Sequence, residues 1–165
     1  MSSSTSLWDP PSRLVAGAAA APVLAAAVLG SFATTPNIPW YETLAKPPLT
    51  PPNWVFGPAW TTLYVLMAYA FYRVLRLEPG TPGRRTAIMV FFAQLILNAA
   101  WSFAFFHARS PLFGLVVILP MAALLVATIV LFWRLDRVAG YALAPTAFWV
   151  AFATYLNAGI FILNR

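Results

Sequence analysis

Cysteine is absent from all 165 residues. Its absence excludes disulfides, thiolate catalysis, zinc–thiolate sites and iron–sulfur clusters, and it leaves the redox compartment unreadable. Charge is nearly as scarce, at 8% of residues, where a soluble domain carries about 25%. Histidine occurs once, as His107, and the carboxylates are Asp9, Glu42, Glu78 and Asp136, scattered over four polar segments. No cluster of hard or borderline metal ligands can be drawn from them. Nor do a nucleophile, a base and an orienting group fall where they could converge as a hydrolytic site.

Apolar side chains fill the space that charge leaves: 61% of residues are hydrophobic, 16% are aromatic, and the mean hydropathy is +0.77. Ten basic and four acidic side chains cannot cover the surface that a domain of this size exposes to water. The bilayer must be the solvent. The net charge of +6 does not point to nucleic acid, because the basic residues sit at the ends of apolar runs rather than gathered on one patch. That placement suits lipid headgroups and control of topology.

Five segments reach the roughly 20 apolar residues that a spanning helix needs: about 14–33, 54–77, 86–107, 111–133 and 139–163. The expected fold is therefore all-α and integral to the membrane, a five-transmembrane-helix bundle formed by residues 13–165 behind a polar N-terminal segment, 1–12. No expected span contains an acidic residue, which disfavours a proton- or ion-driven pump. The first run ends in Ser31-Phe32-Ala33 and so also has the look of a signal peptide with a small-residue cleavage site. Its length, and a preceding region holding Asp9 with a single Arg13, favour a retained helix. Counting basic residues on alternate sides sets Arg13, Arg73, Arg76, Arg84, Arg85, Arg134 and Arg137 against Lys46, Arg109 and Arg165. That bias predicts a cytoplasmic N-terminus.

The connection over 34–53 carries Pro36, Pro39, Pro47, Pro48, Pro51 and Pro52, which are expected to forbid a continuous helix and to stiffen extended backbone. Long ordered loops are usually functional. This one reads as a lid over one end of the bundle, where a ligand is expected to enter. In the third span Gln94, Asn98, Trp101 and Phe105 form a single stripe at helical spacing. Trp60, Tyr64, Met67 and Phe71 do the same in the second, and Trp149, Phe152, Leu156 and Asn157 cluster in the fifth. Brought together, they would wall a cavity suited to a large, flat, mostly apolar ligand. Pattern alone leaves a second reading open, in which the amides bond helix to helix and the rings only pack. His107 reads as an interfacial residue rather than a haem ligand, and Trp8, Trp40, Trp54 and Trp133 fall near helix ends where aromatic belts form. Small residues four apart, Gly17 with Ala21 and Ala26 with Gly30, suggest a homodimer contact on the first helix.

The run Trp40-Tyr41-Glu42-Thr43-Leu44-Ala45-Lys46-Pro47-Pro48 followed by Pro51-Pro52-Asn53-Trp54-Val55-Phe56-Gly57-Pro58-Ala59-Trp60-Thr61-Thr62-Leu63-Tyr64 resembles the TspO/MBR family. That family comprises the tryptophan-rich sensory proteins and the translocator proteins, once called peripheral benzodiazepine receptors. The resemblance continues through Gln94 to Ser102, Phe105-Phe106, Pro145, Trp149, Ala153 and Leu156-Asn157, in order and at family spacing. It implies a site beneath the first loop for tetrapyrroles such as protoporphyrin IX or haem, and for sterols and isoquinoline-type drugs, with no obligatory cofactor. Carried over by motif, Trp60, Tyr64, Asn98, Trp101, Trp149 and Asn157 would line that site, with Trp40, Tyr41, Lys46 and Pro47 in the lid. The resemblance also implies two alternatives to a binding sensor: light-dependent degradation of a bound porphyrin with Trp60 and Trp149 as oxidisable partners, and passive porphyrin or sterol transport. Two departures stand out. Thr146 replaces the family's frequent Tyr, and the sterol pattern begun by Val150 and Tyr155 finds its basic residue only at Arg165, too far away.

Overall fold

A computed structural model describes residues 12–165. Apart from Ser12, the expected polar N-terminal segment, with Trp8 and Asp9, lies outside the described residues. Helix α1 runs Ser12–Thr34, a single 3₁₀ turn covers Thr35–Asn37, and a short α2 spans Ile38–Thr43. The expected loop from Thr34 is therefore helical for its first half, and the chain stays helical over Ser12–Thr43. Pro36 and Pro39 do not break it, because each falls in the first turn of a new helical segment. There the missing N–H has no intrahelical acceptor to lose. Only residues 44–52 are left as irregular lid, ending in a 3₁₀ turn at Asn53–Val55.

Helix α3 follows as Phe56–Leu75, α4 as Arg84–Ser102, α5 as Pro111–Leu135 and α6 as Arg137–Leu163. Local chemistry fixes their ends. Arg84 Nε and Nη2 donate to the carbonyls of Val74 and Leu75, both at 3.1 Å, satisfying acceptors that the end of α3 leaves open. Ser110 caps α5 by accepting from Phe113 N at 3.2 Å, and Asp136 caps α6 by accepting from Ala139 N at 3.0 Å. After Ser102 the fourth helix widens into a π turn, Phe103–His107. Ala108 N bonds Phe103 O at 2.8 Å and Ser110 N bonds Phe105 O at 3.2 Å, each five residues back.

The five long helices close into a ring in the order α1, α3, α6, α5, α4. Lipid tails are as apolar as leucine, so close packing rather than expulsion of water holds such a ring. Small buried residues, among them Ala19, Ala26, Ala70, Ala87 and Ala139, let the axes approach at the end away from the lid. Phe91 fills that end, stacked between Phe71 at 4.5 Å and Phe132 at 5.6 Å. Four helical segments, Ser12–Thr43, Arg84–His107, Pro111–Leu135 and Arg137–Leu163, are long and apolar enough to cross a membrane. Helix α3 has the length at 20 residues, but its Trp, Tyr, Thr, Gly and Pro content lowers its hydropathy. Ala26 and Gly30, expected at a dimer contact, are buried inside the ring, and a Cβ on Gly30 would lie 3.2 Å from Ser102 Oγ. Gly17 and Ala21 face outward.

Arg73 ties α3 to the α5–α6 corner, with Nη2 at 2.8 Å and Nε at 2.9 Å from Asp136 Oδ2. Partial burial raises the Asp136 pKa, but hydrogen bonds from Arg73 and the Ala139 and Val138 amides outweigh it and hold the carboxyl below its usual range. A depressed folded pKa stabilises above the unfolded value, about 4, and that stabilisation is lost as pH falls through the folded pKa. Because the Arg73 side chain is 35% exposed, solvent screening limits the effect to about 1 kcal/mol. Thermal melts should accordingly drop below about pH 4, and Asp136→Asn should remove that component of the drop. A variant with the full wild-type acid response would count against the pairing.

Candidate functional site: an aromatic cavity under the lid

At the lid end the ring opens into a cavity of about 510 Å³ bounded by α1, α2, α3, α4 and α6. Trp60 stacks on Tyr64 with ring centroids 5.6 Å apart, and Tyr64 Oη donates to Asn98 Oδ1 at 2.8 Å. On the opposite wall Trp101 stacks on Phe105 at 5.5 Å, and its Nε1 donates to Asn157 Oδ1 at 3.1 Å. Asn157 Nδ2 in turn donates to the Pro111 carbonyl at 2.7 Å, so one amide joins α4, α5 and α6. Trp149 stands between Phe56 at 6.0 Å and Phe152 at 5.7 Å. The indole N–H groups of Trp60 and Trp149 and the amide nitrogen of Asn98 take no acceptor among the described residues. The wall therefore offers broad aromatic faces, a few free donors and no charged side chain.

Tyr41, Trp60, Tyr64, Asn98, Trp101, Trp149 and Asn157 all line this cavity. Trp40 does not. Its ring sits edge-on to Phe105 at 5.8 Å and is not part of the cavity wall. Lys46 and Pro47 belong to the lid and stay off the wall: Lys46 Nζ lies 4.8 Å over the Tyr41 ring and donates to the carbonyls of Glu42 and Leu44. Gln94, one turn below Asn98 on the same stripe, is buried beside Met67 and does not reach the cavity. The two readings of the amides thus coexist, since Asn98 and Asn157 bridge helices and line the cavity at once. His107 is exposed at the end of the π turn and stands outside the wall.

Sequence patterning misses two parts of the site. The π turn adds a residue to the helical repeat, and Phe106 thereby joins Phe105, already on the expected stripe, in the wall. Periodicity of 3.6 gives no warning of this. The second is the latch that holds the lid on α6. Asn164 accepts from Ala45 N at 3.0 Å and donates to Ala45 O at 2.9 Å, while Tyr155 Oη donates to Pro48 O at 2.9 Å. Pro47 packs onto Gly159, where a Cβ would meet the Pro47 ring at 2.6 Å. A rigid ring cannot yield to such a contact, so Gly159→Val should push the lid off α6. Limited proteolysis within residues 44–52 is expected to speed up several-fold, and an unchanged cleavage rate would refute the latch.

The sequence profile of the TspO/MBR family matches residues 18–163. A "Tryptophan-rich protein TspO" of Archaeoglobus fulgidus is 41% identical over 86% of this chain and 92% of its own length. A "Tryptophan-rich sensory protein" of Cereibacter sphaeroides is 39% identical over 76% of this chain and 77% of its own. The human "Translocator protein" is 36% identical over 90% and 88%. The match runs through nearly all of the ring, including the helices that wall the cavity, and the chain is a multi-pass membrane protein of the TspO/MBR family.

Proposed function

We propose that the protein is a membrane receptor for a flat, largely apolar ligand of the tetrapyrrole class, held edge-on to the free donors between the Trp60–Tyr64 pair and Trp149. The observation that carries this is the cavity wall itself: stacked aromatic faces, three unengaged N–H groups and no charge. Aromatic faces supply contact area, and a few fixed polar groups set orientation. The wall contains no imidazole, so it suits the macrocycle's face and edge rather than a histidine-ligated iron. The names "sensory" and "translocator" among the relatives are compatible with a bound signal or a carried molecule. The lack of a carboxylate in its expected spans disfavours coupling of movement to an ion gradient.

The same reading takes α3 as a fifth span, because the ring closes only through it, and it keeps the N-terminus cytoplasmic on the arginine bias. A homodimer would use the outward face of α1 around Gly17 and Ala21. A second reading, light-driven oxidation of the bound porphyrin, is favoured by one observation: three indoles, Trp60, Trp101 and Trp149, line the same cavity. Titrating the purified protein with protoporphyrin IX should give saturable quenching of tryptophan fluorescence. A linear, non-saturating response would overturn the receptor reading. Illuminating the complex in air and looking for an open-chain product separates catalysis from binding alone.

A further inference from the structure

The cavity is not open on all sides. Every exposed residue in its wall lies on α1, on the turn that follows it, or on α3: Val28, Ser31 and Thr35 face Gly57 and Thr61 across a gap. The wall residues from α4 and α6 are buried or half-buried without exception. Toward the aqueous end, by contrast, the lid is fastened to α6 through Asn164, Tyr155 and the Pro47–Gly159 contact. The exposed flank of a spanning bundle faces lipid, not water.

Polarity along the gap is graded. Val28 sits deepest and is apolar, whereas Ser31 Oγ and Thr35 Oγ1 lie 3.3 Å apart nearer the lid. Beyond them Asn53 Nδ2 donates to Glu42 Oε1 at 2.8 Å. Trp54, 74% exposed, stands beside this end, where indoles settle at the headgroup level. A molecule lying in the adjacent leaflet with its polar edge outward would meet hydroxyls and amides at that edge and apolar wall below it.

We infer that the cavity loads sideways from the lid-side leaflet, through the gap between α1 and α3, and that it selects amphipathic ring systems already partitioned into the bilayer. The inference rests on the receptor reading and replaces the loop as the expected point of access. The gap sets which ligands arrive: they must be lipid-soluble and carry a polar edge. Water-soluble molecules of the same shape would be excluded by the latched lid.

The test uses phosphatidylcholine proteoliposomes, with protoporphyrin IX as probe and stopped-flow tryptophan quenching as readout. Ser31→Phe with Thr61→Phe narrows the gap at two exposed positions and should slow association at least tenfold, while Val116→Phe on the far face of α5 should not. Because the chain has no cysteine, Ala45→Cys with Asn164→Cys can be bridged uniquely by a short bis-maleimide to pin the lid. Association at the same rate before and after bridging supports lateral loading. Slowing by the bridge overturns it whatever the gap variants do, and so does a wild-type rate in the Ser31, Thr61 variant. Absence of saturable binding to the unmodified protein would instead remove the receptor reading itself.

Discussion

Replacing Trp60 and Trp149 together with alanine is expected to weaken protoporphyrin IX binding by about a hundredfold while leaving helix content unchanged. Each indole presents a ring face to the cavity, and a ring-on-ring contact is worth about 0.5–1.5 kcal/mol beyond the area it buries. Two such contacts total about 1–3 kcal/mol, and the apolar area lost with both rings brings the expected effect to roughly two decades in affinity. The fold should survive, because both side chains are only half-buried and neither N–H bonds another described residue. Porphyrin absorbance, rather than quenching, is the appropriate readout where tryptophans have been removed. Binding within threefold of wild type would exclude these two rings as the ligand's main contacts.

Asn157→Ala should act on both stability and binding. The substitution removes the acceptor of Trp101 Nε1 and the donor to Pro111 O, so α6 loses its polar ties to α4 and α5 at that level. Interhelical hydrogen bonds in membranes average about 0.6 kcal/mol and reach about 1.7, which places the combined loss at about 1–3 kcal/mol. Unfolding in a rising mole fraction of sodium dodecyl sulfate, followed by circular dichroism, measures it. Asn157→Asp, which retains the acceptor and gives up the amide donor, separates the two bonds. If alanine and aspartate variants unfold with the wild type, the amide is not a structural hub.

The helices were legible because bilayer thickness fixes a length that few other contexts demand, and five apolar runs of that length stand out between polar breaks. The cavity was legible for a related reason. Tyr64, Asn98 and Trp101 sit on stripes of helical period, and a regular helix carries such a stripe to one side. Where the helix departs from regularity, the reading fails. The π turn at Phe103–His107 brings Phe106 into the wall, and no spacing of residues announces it.

Pro36 and Pro39 misled for a subtler reason, since a proline ends a helix or opens one depending on which turn it occupies. Their types alone do not say which. Trp40 and Gln94 share sequence stretches with wall residues yet face elsewhere, because side-chain direction within a turn is decided by neighbours such as Phe105 and Met67. The latch is illegible for the same cause at longer range: Asn164 and Ala45 are 119 residues apart, and nothing local to either foretells the pairing.

The bond between Arg73 and Asp136 spans 63 residues, and the chain leaves the ribosome N-terminus first. When α3 reaches the translocon, its arginine has no partner, and it is the long helix that falls short of the apolarity of a spanning segment. Two further helical segments must be synthesised before the capping aspartate at the start of α6 appears. During that interval the neighbour available to α3 is α1, against which it packs in the finished ring. Truncation ahead of Asp136 should therefore remove the Arg73 tie to the α5–α6 corner and loosen the docking of α3 by about 1 kcal/mol, so the seat of the second long helix is completed only when the last begins.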